Sequence, residues 1–116
     1  ILKASGLKEF LDGTPEGLDF ELYDNARNLP LGIRRLITLA RAMTTDGRLV
    51  VFDEPTEALD KNAASYVYAI MNRYAKNGKT IIVNSNDKKI LKGVSLILDF
   101  NQKPTPGIRQ WQKSTA

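Results

Sequence analysis

The chain contains no cysteine and no histidine. The absence of cysteine excludes a disulfide framework and is typical of a protein in a reducing compartment. The absence of histidine excludes imidazole as a general base or a metal ligand, so carboxylates must perform any acid–base chemistry. No run approaches the roughly 18 consecutive apolar residues that a membrane-spanning helix needs. The pattern Gly-x-x-x-x-Gly-Lys-Ser/Thr, whose backbone cradles nucleotide phosphates, is also missing.

Length and charge limit the possible architectures. The 116 residues suffice for one small domain with a modest core. The formal net charge of +4 is compatible with an anionic partner. However, the basic residues are spread along the chain without a long run. We therefore interpret them mostly as solvated surface and expect no nucleic-acid partner.

The most informative segment is residues 48–60, Arg-Leu-Val-Val-Phe-Asp-Glu-Pro-Thr-Glu-Ala-Leu-Asp. Its apolar run, residues 49–52, predicts a buried strand that ends at two adjacent carboxylates, Asp53 and Glu54. Ligands bind at the carboxyl ends of strands in parallel sheets, so both acids would lie at the rim of a crevice. One acid there suits Mg²⁺ on a nucleotide phosphate, and the second suits the orientation or deprotonation of a water. The same pattern also fits an ordinary strand–turn–helix with two solvated acids.

The following residues extend an alternating helix and strand pattern. A helix is predicted over residues 61–77, with Asp60 as its N-cap. Its apolar stripe consists of Ala63, Val67, Ile70 and Tyr74. Two more buried strands are predicted over residues 80–83 and 96–98. Proline and glycine break the pattern after residue 100, which predicts an irregular tail over residues 101–116.

Several segments, in this order, resemble the nucleotide-binding domain of an ATP-binding cassette (ABC) transporter. Residues 49–54 resemble the Walker B strand, and residues 57–60, Glu-Ala-Leu-Asp, resemble the D-loop. Residues 29–33, Leu-Pro-Leu-Gly-Ile, stand where the Leu-Ser-Gly-Gly-Gln signature belongs, and Asn86 stands where the switch histidine belongs. Residues 15–19, Pro-Glu-Gly-Leu-Asp, are similar to the segment that precedes the signature in exporters.

The resemblance implies an α/β fold: a P-loop NTPase-like parallel sheet with flanking helices and part of the helical subdomain. Residues 1–43, beginning with a helix over residues 1–11, would form the end of that subdomain and the signature helix. Residues 44–100 would form the downstream α/β core, and residues 101–116 the tail. Because the phosphate loop precedes the signature in this family, we expect an incomplete domain, the downstream part of a longer protein.

The resemblance also implies roles for individual residues. Asp53 would support Mg²⁺, Glu54 would polarise the attacking water, and Asn86 would replace the histidine that contacts the γ-phosphate of ATP. Asp60 would be a further nucleotide contact from the D-loop. The signature positions, which would close on ATP held by a partner cassette, are Leu29, Pro30, Leu31, Gly32 and Ile33.

The signature and switch positions depart from the family pattern. Pro30 replaces the serine and removes both a hydroxyl and an N–H donor. Leu31 adds bulk where backbone should approach phosphate closely. Asn86 can donate an amide N–H but cannot become cationic. A helix predicted over residues 32–43 still presents its first N–H groups to an anion.

Two functions from different classes remain open. One is the ATPase of an exporter, which couples ATP binding and hydrolysis to substrate translocation at the cytoplasmic face of the inner or plasma membrane. Its partners would be a transmembrane domain and a second nucleotide-binding domain, identical or different. The other is a catalytically degenerate cassette that acts as a nucleotide-dependent regulatory or interaction module. Glu54 favours the first, whereas Pro30, Leu31 and Asn86 favour the second.

Two expectations concern the chain by itself. Without a phosphate loop, it should be inactive as an ATPase. Apolar strands without their neighbours expose edges that pair readily with another chain. The chain should therefore self-associate, by swapping or edge pairing, or depend for its order on a companion fragment that carries the missing half.

A third reading, a chromosome-maintenance ATPase, fits less well, because residues 15–19 resemble an exporter. Arg34 and Arg35 either add positive charge at the signature or lie on a solvated surface.

Overall fold

The computed structural model describes residues 1–110. The chain divides into two compact units, Ile1–Asn84 and a smaller one from Ser85 onward. The larger unit contains α1 (Leu2–Ser5), α2 (Leu7–Asp12), a 3-10 helix (Gly17–Asp19), α3 (Leu31–Ala42), β1 (Leu49–Asp53), α4 (Lys61–Lys76) and β2 (Thr80–Asn84). The smaller unit contains α5 (Lys88–Gly93), β3 (Leu96–Asp99) and β4 (Gly107–Gln110).

Strands β1 and β2 pair in parallel within the larger unit. Leu49 lies opposite Thr80, and Asp53 lies opposite Asn84. Helix α4 connects the two strands, as a parallel pairing requires. The mixed α/β character and this parallel pair agree with the predicted fold class. The described strands nevertheless form two separate two-stranded sheets, and not one parallel sheet, because β3 pairs with β4.

Helix α4 begins at its predicted cap. The Asp60 carboxylate accepts a hydrogen bond of 2.7 Å from the Ala63 N–H. Val67 and Ile70 are each only 2% exposed, and burying such a side chain contributes about 1.5–3 kcal/mol. Ala64 completes the fully buried stripe, whereas Ala63, which was predicted there, is only partly buried. Tyr74, at the other end of the predicted stripe, is also only partly buried.

The single helix predicted over residues 1–11 is wrong, because α1 and α2 are separated at Gly6. Gly6 has a φ of 81°, and a Cβ added there would lie 2.6 Å from Cδ2 of Tyr66 in α4. Glycine therefore allows the backbone to approach the aromatic ring. Glu9 of α2 accepts hydrogen bonds from the Tyr66 hydroxyl (2.6 Å) and the Asn62 amide (3.3 Å). The hydrogen bond to Glu9 raises the pKa of Tyr66.

One face of the β1–β2 sheet is exposed, which contradicts the prediction of fully buried strands. In β1 only Phe52 is buried. Leu49 is 56% exposed, Val51 65% and Ile82 56%. Val51 lies opposite Ile82, and alternate residues share one face of a strand, so these three side chains form one apolar surface. We refer to Leu49, Val51 and Ile82 as the open sheet face.

In the smaller unit, β3 and β4 pair antiparallel, with Leu98 opposite Ile108. The irregular tail predicted over residues 101–116 is therefore wrong in part. The prolines that suggested it lie in the loop before β4, where they interrupt no ladder hydrogen bond. Residues 111–116 lie outside the described residues. In β3 only Ile97 is buried, so the prediction of a buried strand is also only partly correct.

We predict that the chain by itself self-associates through the open sheet face and the adjoining strand edges. The double substitution Val51→Thr and Ile82→Thr keeps β-branched side chains but makes this surface polar, so it should shift the molar mass toward that of the monomer. Leu18→Thr, at a side chain that is 76% exposed, is the matched control and should change nothing. Static light scattering at micromolar concentration checks this. A wild-type chain that is monomeric at every concentration would contradict the prediction.

Candidate functional site

Asp53 lies at the carboxyl end of β1, beside the end of β2. Its Oδ1 accepts a hydrogen bond of 2.8 Å from Nδ2 of Asn84. The parallel register places these two residues opposite each other, so the amide fixes the orientation of the exposed carboxylate. Asn84 was not among the predicted site residues. Its position as the last residue of the neighbouring strand is the signal that identifies it.

Glu54 starts a tight turn directly after β1. Its φ of 40° is left-handed, which costs a residue other than glycine about 1–2 kcal/mol. Two backbone hydrogen bonds hold it: its N–H donates to the Asn84 carbonyl (2.9 Å), and its carbonyl accepts from the Glu57 N–H (3.1 Å). These bonds fix the backbone conformation of Glu54 at the end of β1 and direct the chain into residues 57–60.

Arg35 of α3 reaches this turn. Its Nη1 donates to the Glu54 carbonyl at 3.2 Å, and its Nη2 donates to Oε2 of Glu57 at 2.8 Å. Arg35 is therefore not simply a solvated charge on the helix surface. The sequence holds one signal for this contact. Glu57 stands where the D-loop that residues 57–60 resemble has serine, and an additional acidic side chain favours a basic partner.

Two of the predicted signature residues are packing residues. Leu29 is only 4% exposed. Ile33 packs against the buried cluster of Leu7, Leu36 and Ala40, which joins α2 to α3. With their side chains directed into packing contacts, Leu29 and Ile33 can offer a ligand chiefly backbone groups.

The other three signature positions form the start of α3. Pro30 is the N-cap residue and gives no side-chain hydrogen bond to the first turn, while Leu31 is 46% exposed. The predicted helix over residues 32–43 is confirmed, but it begins and ends one residue earlier than predicted, at Leu31 and Ala42. A Cβ added to Gly32 would lie 3.8 Å from both the Ala58 carbonyl oxygen and Cδ2 of Leu59, which is ordinary contact. The fold of this unit therefore leaves room for a methyl group at position 32.

The two remaining predicted residues belong to different units. The Asp60 carboxylate serves as the cap of α4, so its helix already uses one of its acceptor sites. Asn86 is exposed in the smaller unit and precedes Asp87, the N-cap of α5, whose Oδ1 accepts a hydrogen bond of 2.8 Å from the Lys89 N–H. Asn86 therefore lies on a short loop, as expected for a polar residue after a strand.

The carboxylates suit Mg²⁺ only together with ligands from another source. Within residues 1–110, no group of three or more acidic side chains is arranged to hold a metal ion. Mg²⁺ is usually bound through one or two carboxylates plus phosphate oxygens and water, and this fits Asp53. A carboxylate that accepts one hydrogen bond from Asn84 keeps lone pairs for a cation.

Comparison with known proteins reveals relatives that transport substrates across membranes. The ATP-dependent lipid A-core flippase of Pseudomonas aeruginosa is 34% identical over 100 residues, which is 86% of this chain and 16% of the flippase. The macrolide export ATP-binding/permease protein MacB of Photorhabdus laumondii is 31% identical over 84 residues, which is 72% of this chain and 13% of that protein. The chain is homologous to ABC exporters. No protein-family model matches it.

A solved structure supports the same fold. A bacterial Atm1-family ABC exporter with ATP bound superposes with a TM-score of 0.72 and 24% identity, over 84% of this chain and 17% of the exporter chain. This chain spans 13–16% of the length of the curated relatives that it matches. In the part of the chain that the structure describes, no helix has the length and apolar character needed to cross a bilayer.

We predict that Asp60 contributes to stability through its cap. Asp60→Ala removes the acceptor for the Ala63 N–H and should lower the free energy of unfolding by about 1 kcal/mol. Asp60→Asn is the matched control, because asparagine caps a helix about as well as aspartate. Urea denaturation of the three chains at one protein concentration measures the difference. Equal losses for both variants would show that the charge, and not the cap, is what matters.

Proposed function

We propose that this chain is the downstream part of an ATP-binding cassette of an ABC exporter. In the longer protein, binding and hydrolysis of ATP would drive substrate translocation. The observation that carries the proposal is the pair Asp53 and Glu54, held at the carboxyl end of a parallel strand in a chain homologous to ABC exporters. The cofactors are ATP and Mg²⁺. The partners are a second cassette and a transmembrane domain, at the cytoplasmic face of the membrane.

The two carboxylates have separate tasks. Asp53, oriented by Asn84, would hold Mg²⁺, and the bound ion would supply positive charge to the phosphates of ATP. Glu54 orients the attacking water and accepts its proton. The chain offers no imidazole for this task, so a carboxylate next to the metal site is the natural base. The backbone hydrogen bonds of the turn fix the conformation of Glu54 at the end of β1.

The signature helix, α3, would help to bind the γ-phosphate of an ATP molecule that the partner cassette holds. Its first N–H groups and its dipole attract an anion even though Pro30 supplies no hydroxyl. Leu31 adds apolar bulk at this helix start, and Asn86 supplies an amide where the family has histidine. Losing one preorganised donor to a transition state costs on the order of 10²–10³ in rate. We therefore infer a slow ATPase.

A degenerate cassette is the second candidate function, and the start of α3 favours it. Pro30 caps the helix without a side-chain hydrogen bond, and the exposed Leu31 follows it. Such a cassette would bind nucleotide and regulate a competent partner cassette. The retained Glu54 favours the ATPase. In a homodimer both sites would carry these departures, whereas a heterodimer would pair this cassette with a different one.

We predict that Glu54→Gln in the full-length protein lowers the rate of ATP hydrolysis by at least about 100-fold. The amide keeps the shape of the side chain but cannot accept the proton of the attacking water. Binding of Mg²⁺-ATP should change little. Phosphate release and equilibrium binding of a fluorescent ATP analogue measure the two quantities.

Asp53→Asn is the matched control for this prediction, because it removes the neighbouring charge. It should weaken the Mg²⁺ dependence of nucleotide binding, which Glu54→Gln leaves intact. A wild-type protein that binds nucleotide but hydrolyses none would support the degenerate cassette. Hydrolysis that Glu54→Gln does not slow would contradict the assignment of Glu54 as the base.

We predict that Gly32→Ala leaves the stability of the fold intact but weakens the contact between this helix and phosphate. The larger unit has room for the methyl group, and alanine in a helix is more stable than glycine by roughly 0.5–1 kcal/mol. The variant should therefore fold at least as well as the wild type. In the full-length protein, however, the methyl group should weaken ATP-dependent pairing of the cassettes, because it lies where backbone approaches phosphate. Thermal melting and ATP-dependent dimerisation are the measurements, and unchanged dimerisation would contradict a phosphate contact at Gly32.

A further inference from the structure

We propose that Arg35 is a positioning residue that fixes the turn carrying Glu54 and thereby ties the signature helix to the base. The inference rests on the proposed function for its effect on hydrolysis. Its structural basis is one guanidinium that bridges two parts of the same turn. Nη1 donates to the Glu54 carbonyl and Nη2 donates to the Glu57 carboxylate.

The turn needs such a support because its first residue has an uncommon backbone conformation. Glu54 has a φ of 40°, and Ala58 within the same loop has a φ of 58°. Residues other than glycine keep left-handed conformations only where surrounding contacts over-determine them. The Glu54 carbonyl accepts hydrogen bonds from the Glu57 N–H at 3.1 Å and from Arg35 at 3.2 Å. Arg35 reaches this carbonyl from α3, outside the turn.

Stability does not by itself explain this arrangement. The side chain of Glu57 is 64% exposed and that of Arg35 30%, and ion pairs of this kind contribute little to folding. In addition, Nε of Arg35 is buried and lacks a hydrogen-bond partner among the described residues. A buried donor without a partner reduces stability. The planar guanidinium instead fixes the conformation of the turn, because it holds the Glu54 carbonyl and the Glu57 carboxylate at fixed positions relative to each other.

The contact also spans two segments that the proposed function uses. Arg35 lies four residues after Leu31, the first residue of α3, so it moves with the helix that would close on a partner's ATP. Glu54 and Glu57 lie in the loop after β1. A displacement of α3 relative to β1 would change the hydrogen bond to the Glu54 carbonyl. The guanidinium therefore links closure at the signature to the placement of the base.

Substitution of Arg35 in the full-length protein tests whether this residue affects the rate of ATP hydrolysis. Arg35→Met should lower kcat for ATP hydrolysis about 10- to 100-fold through misplacement of Glu54, with KM for Mg²⁺-ATP nearly unchanged. Arg35→Lys should recover only part of the rate, because an ammonium group cannot reproduce the two-pronged contact. Arg41→Met is the matched control, since Arg41 is an exposed residue of the same helix. An unchanged kcat for Arg35→Met would overturn the proposal.

A double-mutant comparison distinguishes positioning from a general structural role. In the Glu54→Gln background, Arg35→Met should cause no further loss of rate, because its effect acts through Glu54. A further loss of the same size would overturn the proposal, since Arg35 would then act independently of the base.

Hydrogen exchange tests the link to the turn without any need for hydrolysis. The Glu57 N–H, which donates to the Glu54 carbonyl, should exchange severalfold faster in Arg35→Met than in Arg41→Met. If the full-length protein hydrolyses no ATP, its proposed function as an ATPase fails, and exchange alone decides whether Arg35 fixes the turn. Exchange that is identical in both variants would overturn the proposal.

Discussion

The parallel pairing of β1 with β2 is the constraint on which the rest of the larger unit depends. It places the ends of both strands at one edge, so the Asn84 side chain binds the Asp53 carboxylate and the Asn84 carbonyl accepts the Glu54 N–H. The last residue of β2 thus anchors both acids. A slip of one residue in this register would move every side chain of a strand to the opposite face and separate the pair.

At this edge, the structure must hold both two adjacent carboxylates and a left-handed backbone conformation. The contacts at this edge join carboxylates, an amide and a guanidinium group. Two adjacent acids repel each other, and a left-handed residue between a strand and a loop costs free energy. Asn84 of the neighbouring strand holds the Asp53 carboxylate, and Arg35 of α3 holds the backbone of Glu54. This arrangement belongs to a chain that is homologous to ABC exporters.

Local signals in the sequence predicted α4, its cap at Asp60 and the positions of β1 and β2 almost to the residue. These features depend on periodicity and capping, which a few neighbouring residues determine. Burial was predicted less well, because apolar residues such as Val51 are buried only if another layer covers them. The contacts of Arg35 with Glu54 and Glu57 were missed, since they join residues 19 and 22 positions apart. No short-range pattern encodes such a distance.

The break at Gly6 restricts how this sequence can vary. Position 6 combines a φ of 81° with an approach so close that an added Cβ would lie 2.6 Å from the Tyr66 ring. A side chain at position 6 therefore requires a smaller residue at position 66, and such a residue would lose the hydroxyl that binds Glu9. Position 6 between α1 and α2, position 9 in α2 and position 66 in α4 are thus expected to change together among related proteins, although the first and the last lie 60 positions apart.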